Sequence, residues 1–504
     1  MLAAPRTAIL FLGALGGIQA VDPTIASTAL VEASRGLDMQ GGLLAFAASV
    51  STLFLAATVI SAGLLGDRIG WRRMLTGALG VAIAGDLLTA AAPSSAVYLG
   101  GRALVGLGLG GVFTASFAYI RLITPKDRVP HALGVYAASG SIVLVLFSYL
   151  GGLLASTSWR LAFVLIPAAC AVSLVLTRVL LPRTRPTASG PADLRGQVLL
   201  ALGIIGVLFG LSHLSKGLGD ILCWAPMLAG VVVLGAFVLV ERRAAHPCFP
   251  VEVLRHPVFL AAVCAGFIYN FAQSSTILQF SNLWQYADGL EPVKVSLGIL
   301  PFLLIGVVAA LFTGRLIGRG MSNGTAVVVG GSLVAVGGVA TLLHDGSYAT
   351  LVPSLLLIGF GATMASIPYG GLIVAAASGR MARFYGPITS SRATVGQIAY
   401  AMGLALSTVL VDSLARGGVV RRLTDAGVPP SRTASALDGL GVYVRTGHEP
   451  SSTLAHQALS AGRASYSTSF QVTMIAIGAV CLVVGVAGAA LVRRAERDAS
   501  ADPV

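Results

Sequence analysis

The sequence predicts an all-α polytopic membrane protein, and three observations carry that prediction: its hydropathy, the length of its apolar runs, and the alternation of its basic residues from turn to turn. Of the 504 residues, 56% are hydrophobic and 11% charged, and the mean hydropathy is +0.86. A water-soluble chain of this length has no core large enough to hide so much apolar surface. A bilayer core about 30 Å thick needs roughly 20 apolar residues per helix, and runs of that length follow one another almost from end to end.

Apolar runs bounded by charge or by Gly/Pro turns place helices near 7–31, 40–63, 73–92, 97–121, 131–154, 159–181, 195–214 and 222–240. Six more are expected near 257–286, 293–314, 324–343, 350–376, 384–413 and 467–492. The first run, from Thr7, leads into further spans and has no small-residue cleavage site before its polar centre, so it reads as a retained helix. Fourteen crossings assign the connections alternately to the two sides, and positive charge gathers on the cytoplasmic side. One set of turns holds Arg68, Arg72 and Arg73; Arg121, Lys126 and Arg128; Arg183, Arg185 and Arg195; Arg242, Arg243 and Arg255; Arg315 and Arg319; Arg380 and Arg383; and Arg493, Arg494 and Arg497. The short turns of the other set hold only isolated Arg35, Arg160, Lys216 and Lys294. One miscounted helix would invert every later turn, so the pattern supports the count and puts both termini in the cytoplasm.

The formal charge of +13 does not indicate nucleic acid, because the Lys and Arg sit in short turns rather than on a water-exposed domain. Cys170, Cys223, Cys248, Cys264 and Cys481 have neither paired nor CxxC spacing, which leaves them as packing residues. No cofactor is implied. A short repetition links the two halves: Gly63 to Gly70 reads Gly-Leu-Leu-Gly-Asp-Arg-Ile-Gly, and Gly314 to Gly320 reads Gly-Arg-Leu-Ile-Gly-Arg-Gly. Repeated bundles are a common way to build a central site at the bilayer midplane. Residues 1–181 are accordingly expected to form an N-terminal six-helix bundle and 182–256 an inserted pair, helices 7 and 8, with flanking cytoplasmic loops. The C-terminal six-helix bundle spans 257–504 and includes a long extracellular loop, 414–466, which caps the outer mouth or acts as a linker.

Three stretches carry chemistry. The turn after helix 2 reads Gly63-Leu-Leu-Gly-Asp-Arg-Ile-Gly-Trp-Arg-Arg73; its glycines permit a tight turn, and Asp67 can accept bonds from a helix amino end and from basic residues. Helix 1 ends with Val21-Asp22-Pro-Thr-Ile-Ala-Ser-Thr-Ala-Leu30. An ionised carboxylate that deep costs about 2.5–3.5 kcal/mol on insertion scales, and Pro23 removes the donor that would bond the carbonyl of Gln19, leaving a polar notch beside the acid. Helix 4 contains Arg102-Ala-Leu-Val-Gly106-Leu-Gly108-Leu-Gly110-Gly111, where the glycines let another helix approach closely.

Together these stretches resemble the signatures of the major facilitator superfamily, and specifically its fourteen-helix drug:proton antiporter family. The resemblance covers most of the chain, with the specific motifs in the first 160 residues. It implies a major facilitator fold of two six-helix bundles plus two inserted helices. It implies a gating motif at Gly63, Asp67, Arg68, Gly70 and Arg72, and a proton-coupling pair of Asp22 with a cavity-facing Arg102. A permanently neutralised Asp22, or an Arg102 that snorkels to the interface, is the plainer alternative. Asp86, a second acid in helix 3, faces either Arg102 or the outer interface and is a further proton-coupling candidate. One departure stands at helix 5: Phe147-Ser-Tyr-Leu-Gly151-Gly152 keeps the family's glycine pair but lacks the Gly-Pro that precedes it in antiporters.

In helix 9, Ser275, Gln279, Asn282 and Gln285 align on one face beside Trp284; helix 13 offers Ser390, Thr394 and Gln397, and helix 12 Met364 and Tyr369. With Gln19 these form the expected substrate cavity, although interhelical hydrogen bonding explains the same stripe. The expected function is proton-coupled efflux of lipophilic drugs, antibiotics or related small molecules by alternating access. The alternative, suggested by the missing Gly-Pro, is export of a lipid or long amphiphile. An enzyme is not expected, since there is no HExxH, nucleophile elbow or Walker loop. The expected partners are membrane lipids, protons and a small-molecule or amphiphilic substrate, with a monomeric chain. Abundant Arg and Ala with only three Lys point to a high-GC bacterium, hence to its cytoplasmic membrane.

Overall fold

Helices that are apolar on every face can rest only against lipid or against one another. The computed structural model describes residues 6–125, 128–186, 193–213, 221–244, 247, 249–377, 381, 385–429, 432, 433, 435 and 453–501, and among these the regular structure is helical, with no strand. Lys126, Lys216, Cys248, Arg380, Arg383 and most of 430–452 in the long connection lie outside the described residues.

The helices are α1 (Arg6–Gly36), α2 (Gly41–Ile69), α3 (Trp71–Ala90), α4 (Ser95–Ile123) and α5 (Val129–Thr157), followed by α6 (Trp159–Leu180). Then come α7 (Leu194–Ser212), α8 (Ile221–Arg243), α9 (Pro257–Asn282), α10 (Pro292–Gly318) and α11 (Asn323–Ala340). The last three are α12 (Val352–Ala376), α13 (Tyr385–Asp425) and α14 (Thr453–Ala501). Among the described residues, 12 helices are long and apolar enough to cross a membrane, and α2 adds one more if its parts Phe46–Val59 and Ser61–Ile69, bent by 49°, form one span. The bend falls beside Ser61 and Gly63, the residue types at which helices commonly kink. The expected crossing at 195–214 forms as a shorter apolar helix, Arg195–Leu211, so the count of fourteen is not reached on length alone.

Packing repeats with an offset of eight helices. In the first group α1 packs on α5 and α4, α2 on α4, and α3 on α4 and α6; in the second, α9 packs on α13 and α12, α10 on α12, and α11 on α12 and α14. The groups meet along two seams, α2 with α13 and α5 with α10, which exchange under the same offset. The turns that carry the sequence repeat are equivalent too, since Gly70 between α2 and α3 has φ 89° and Gly320 between α10 and α11 has φ 104°. Only glycine enters that region without strain. The pair α7 and α8 packs on itself and reaches the first seam, where Leu53 and Ala56 of α2, Ile204 and Leu208 of α7, and Ala401 of α13 form one cluster.

Small residues bring the helices of the first group into backbone contact. A Cβ on Gly106 of α4 would collide with the carbonyl oxygen of Ser51 on α2, and one on Gly85 of α3 would stand 2.6 Å from the backbone nitrogen of Val105. Close approach of this kind is how helices gain packing energy in lipid.

The largest departure from expectation is at 414–466. Instead of a loop over that whole stretch, α13 continues to Asp425 and α14 begins at Thr453, lengths of 41 and 49 residues. Hydropathy falls there because of Arg416, Arg421 and Arg422. The helices persist because Val419, Leu423, Val428 and Ala458 close a small apolar seam between them, and Gly418 leaves room for Ser465. Gly427, at φ 78°, and Pro429 then end the first arm.

Gly106→Ala is expected to lower stability by about 1–3 kcal/mol through overpacking, seen as a lower melting temperature of the detergent-solubilised protein. Gly77→Ala on α3, where a Cβ meets nothing within 4 Å, should leave the melting temperature unchanged or slightly raised.

Candidate functional site

The close contacts of α1, α2, α3 and α4 bring four polar side chains to one buried point. Arg102 Nη1 lies 2.7 Å from Asp22 Oδ1 and its Nη2 2.7 Å from Asp22 Oδ2, a two-pronged pair. Ser51 Oγ of α2 donates to Asp22 Oδ2 at 2.7 Å, and Arg102 Nη1 also reaches Asp86 Oδ1 of α3 at 3.3 Å. Asp22, Asp86 and Arg102 are 1%, 0% and 2% exposed, so Arg102 does not snorkel and Asp22 does not lie on a wet rim. Each of the two bonds to Asp22 is charge-assisted and shorter than the contact to Asp86, so the guanidinium belongs first to Asp22.

An aromatic wall closes the site on α6 and α4. The guanidinium carbon of Arg102 stands 5.3 Å from the Phe163 ring centroid, and Tyr98, one turn before Arg102, meets Phe163 and Trp159 edge-on at 5.9 and 6.1 Å. Not every polar atom here has a partner: Asp86 Oδ2, Arg102 Nε and the Tyr98 hydroxyl are buried and unbonded. Two carboxylates share one guanidinium, so with both ionised the trio carries a net negative charge that a single proton removes. Beside the acid, α1 stays helical through Pro23, whose carbonyl accepts the Ser27 hydroxyl at 2.8 Å, and Gln19 is buried one turn earlier.

The turn at Gly63–Arg73 is docked onto the end of α6. Trp71 N donates to Thr184 Oγ1 at 2.8 Å, and Arg72 Nη2 donates to the Arg178 carbonyl at 2.8 Å. A Cβ on Gly70 would stand 2.7 Å from the Thr184 carbonyl, and one on Gly66 would stand 2.6 Å from the Trp71 ring. Gly63 is buried, and Asp67 and Arg68 are half-buried and engaged.

The expected cavity residues divide. Ser275 and Gln279 are turned into the second group rather than toward open space: Ser275 Oγ donates to the Gly403 carbonyl at 3.1 Å and Gln279 Nε2 to Ser407 Oγ at 2.9 Å, both on α13. Trp284 is fully enclosed by packing, its ring against Gly298 of α10 and edge-on to Phe280 rather than against open space. Asn282 and Gln285 are half-buried, and Met364 is buried on α12. Thr394 and Tyr369 reach further. Thr394 Oγ1 lies 3.5 Å from the Ala56 carbonyl across the α2–α13 seam, and the Tyr369 hydroxyl donates to the Arg392 carbonyl at 2.5 Å. Gln397 is half-buried with its Oε1 unbonded; the Ser390 side chain lies outside the described residues.

Sequence reasoning missed Ser51, Tyr98 and Arg392. The first two had no signal beyond ordinary polar or aromatic character. Arg392 did have one, a permanent charge inside an expected span, the same rule that singled out Asp22.

A family model described as Major Facilitator Superfamily matches residues 9–407. The chain belongs to the major facilitator superfamily. Among similar members are the puromycin resistance protein pur8 of Streptomyces alboniger, 29% identical over 82% of each chain, and the multidrug efflux pump LfrA of Mycolicibacterium smegmatis, 25% identical over 93% of each. The methyl viologen resistance protein SmvA of Salmonella typhimurium is 26% identical over 93% of this chain and 94% of its own. Solved structures share the fold: a bacterial homolog of the human lysosomal transporter Spinster has a TM-score of 0.64 at 13% identity, covering 98% of both chains. A peptide transporter of the POT family in complex with sulfate has a TM-score of 0.62 at 15% identity, covering 98% of this chain and 95% of its own. The protein is thus a multi-pass membrane member of a transporter superfamily.

Removing Arg102 strands two carboxylates, so Arg102→Ala should cost about 3–5 kcal/mol. The paired change Asp22→Asn with Arg102→Met should cost clearly less than Arg102→Ala alone. Unfolding of the purified variants in mixed micelles measures the order.

Proposed function

We propose that this chain exports lipophilic small molecules from a bacterial cytoplasm in exchange for protons, by alternating access between the two helix groups. The observation that carries the reading is the enclosed Asp22–Arg102–Asp86 trio, a charge-unbalanced site one proton can neutralise. The names of its relatives, which give resistance to puromycin and methyl viologen and multidrug efflux, support drug efflux as the physiological direction. The basic turns support an orientation with both termini in the cytoplasm. The division into bundles 1–181 and 257–504 around the inserted pair 182–256 fits the packing repeat and supplies the two moving bodies.

A proton arriving at the trio weakens the hold of Arg102 on a carboxylate. That shifts the balance between arrangements by the differential affinity of the two states for the proton. The turn at Gly63, Asp67, Arg68, Gly70 and Arg72, docked on the end of α6, acts as the latch for one arrangement. One proton crossing about 100 mV supplies about 2.3 kcal/mol, enough for roughly a fifty-fold substrate gradient.

Asp22→Asn should fold and insert normally yet lose pH-driven transport, in proteoliposomes, of the lipophilic compound that the unmodified protein transports best in a panel of neutral, cationic and anionic drugs. Asp86→Asn leaves the two-pronged pair intact and should slow coupled transport without abolishing it. Undiminished gradient-driven transport in Asp22→Asn would falsify the coupling.

A further inference from the structure

Arg392 lies on α13 seven residues beyond Tyr385, half-buried within the helical body. Its guanidinium carbon is 5.1 Å from the centroid of Tyr369 on α12 and 5.6 Å from that of Phe117 on α4, so it bridges the two helix groups. Tyr136 of α5 and Tyr269 of α9 lie within electrostatic reach of the same charge. The aromatic surround is held in place. Tyr369 bonds the Arg392 carbonyl and its ring fills the space a side chain at Gly266 would need; Tyr136 OH is 3.2 Å from Ser116 Oγ and its ring meets Phe117 edge-on at 6.1 Å.

The guanidinium itself has no protein hydrogen-bond partner among the described residues. Among the described residues no carboxylate lies within 4.0 Å of it, and its N–H groups make no hydrogen bond, in contrast to Arg102. Arginine keeps its charge in proteins, and ring faces attract a cation without accepting its fork of N–H donors. Arg102 lies within 4.0 Å of two acids; among the described residues, Arg392 lies within 4.0 Å of none. Tyr400, on α13 within reach of the charge of Asp22, is eight residues from Arg392, or about 12 Å along the helix.

We propose that Arg392 and its aromatic surround form the subsite for the acidic headgroup of the transported molecule, so that the favoured substrates are amphiphilic anions with one carboxylate, sulfonate or phosphate on an aromatic or aliphatic body. The headgroup pairs with the guanidinium fork, and Phe117, Tyr136 and Tyr369 receive the apolar body. Because Phe117 and Tyr136 belong to one helix group and Arg392 and Tyr369 to the other, an anion seated there touches both, as a ligand that biases their arrangement must. This rests on the transport reading above and narrows its substrate class.

Calorimetric titration tests it on the full chain in phosphatidylcholine nanodiscs, without a proton gradient, so that a failure of proton coupling does not affect the result. The probes are 2-naphthoate, 2-naphthylmethanol and 2-naphthylmethylammonium, which share a body and differ in charge. The expected result is that naphthoate binds at least about tenfold more tightly than the other two, that Arg392→Gln removes the preference, and that Arg392→Lys keeps part of it. Equal binding of the three probes, or a preference for the ammonium, overturns the proposal in the unmodified protein, whether or not the variants fold. So does an unchanged naphthoate affinity in a folded Arg392→Gln. Where naphthoate binds as expected, repeating the titration in discs containing phosphatidylglycerol separates sources. Weakened naphthoate binding assigns the subsite to a lipid headgroup, and unchanged binding assigns it to a free acid; either supports an anion site.

Discussion

A charged pair that water cannot reach governs the N-terminal group of helices in this protein. In lipid, a carboxylate or a guanidinium is tolerated only when something nearby answers it, and Asp22 and Arg102 answer each other through two short bonds. The geometry is demanding, because the fork must lie in the plane of the carboxylate. Around it α2, α3 and α4 come to backbone distance, and the glycines at 85 and 106 are what permit it. Packing and chemistry are one requirement here: a larger residue at the α2–α4 contact would separate Ser51 from Asp22 as surely as it would strain the helices. The unbonded oxygen of Asp86 marks where the arrangement falls short of balance. A purely structural ion pair has no need for a third charge.

The two halves share a plan but not a chemistry. Their helices pack in the same order and their seams exchange under the same offset, yet the Asp22–Arg102–Asp86 trio lies in the first half, while the second half places an arginine between aromatic rings. The seam at α2 and α13 is reinforced by α7, so the inserted pair touches the bodies where they meet rather than lying apart in the lipid.

Much of this was legible in the residues. Spans followed from hydropathy, and Asp22 and Arg102 stood out because intramembrane charge is rare for a physical reason. Gly70 was legible as a turn because the flanking pattern required one, and the structure gives it φ 89°. What was not legible depends on rotation and partnership. The stripe of Ser275 and Gln279 was visible as a face, but a sequence does not say whether a polar face meets water or another helix, and here it meets α13. Trp284 looked like a cavity wall because it adjoins that stripe, yet its own direction turns it into Gly298. The polar ends of α13 and α14 hid their helicity because a narrow apolar seam contributes little to a window average dominated by arginines.

Those two long helices change what the end of the molecule near Asp425 and Thr453 can be. At about 1.5 Å per residue they run to roughly 62 and 74 Å, about twice the thickness of the hydrocarbon core, and Val419 and Leu423 tie them together beyond it. The stalk is thus continuous with the rods that cross the membrane rather than hung from them by a slack tether. Any rocking of those rods is transmitted to its tip as a larger sweep, in the way a mast magnifies the roll of a hull.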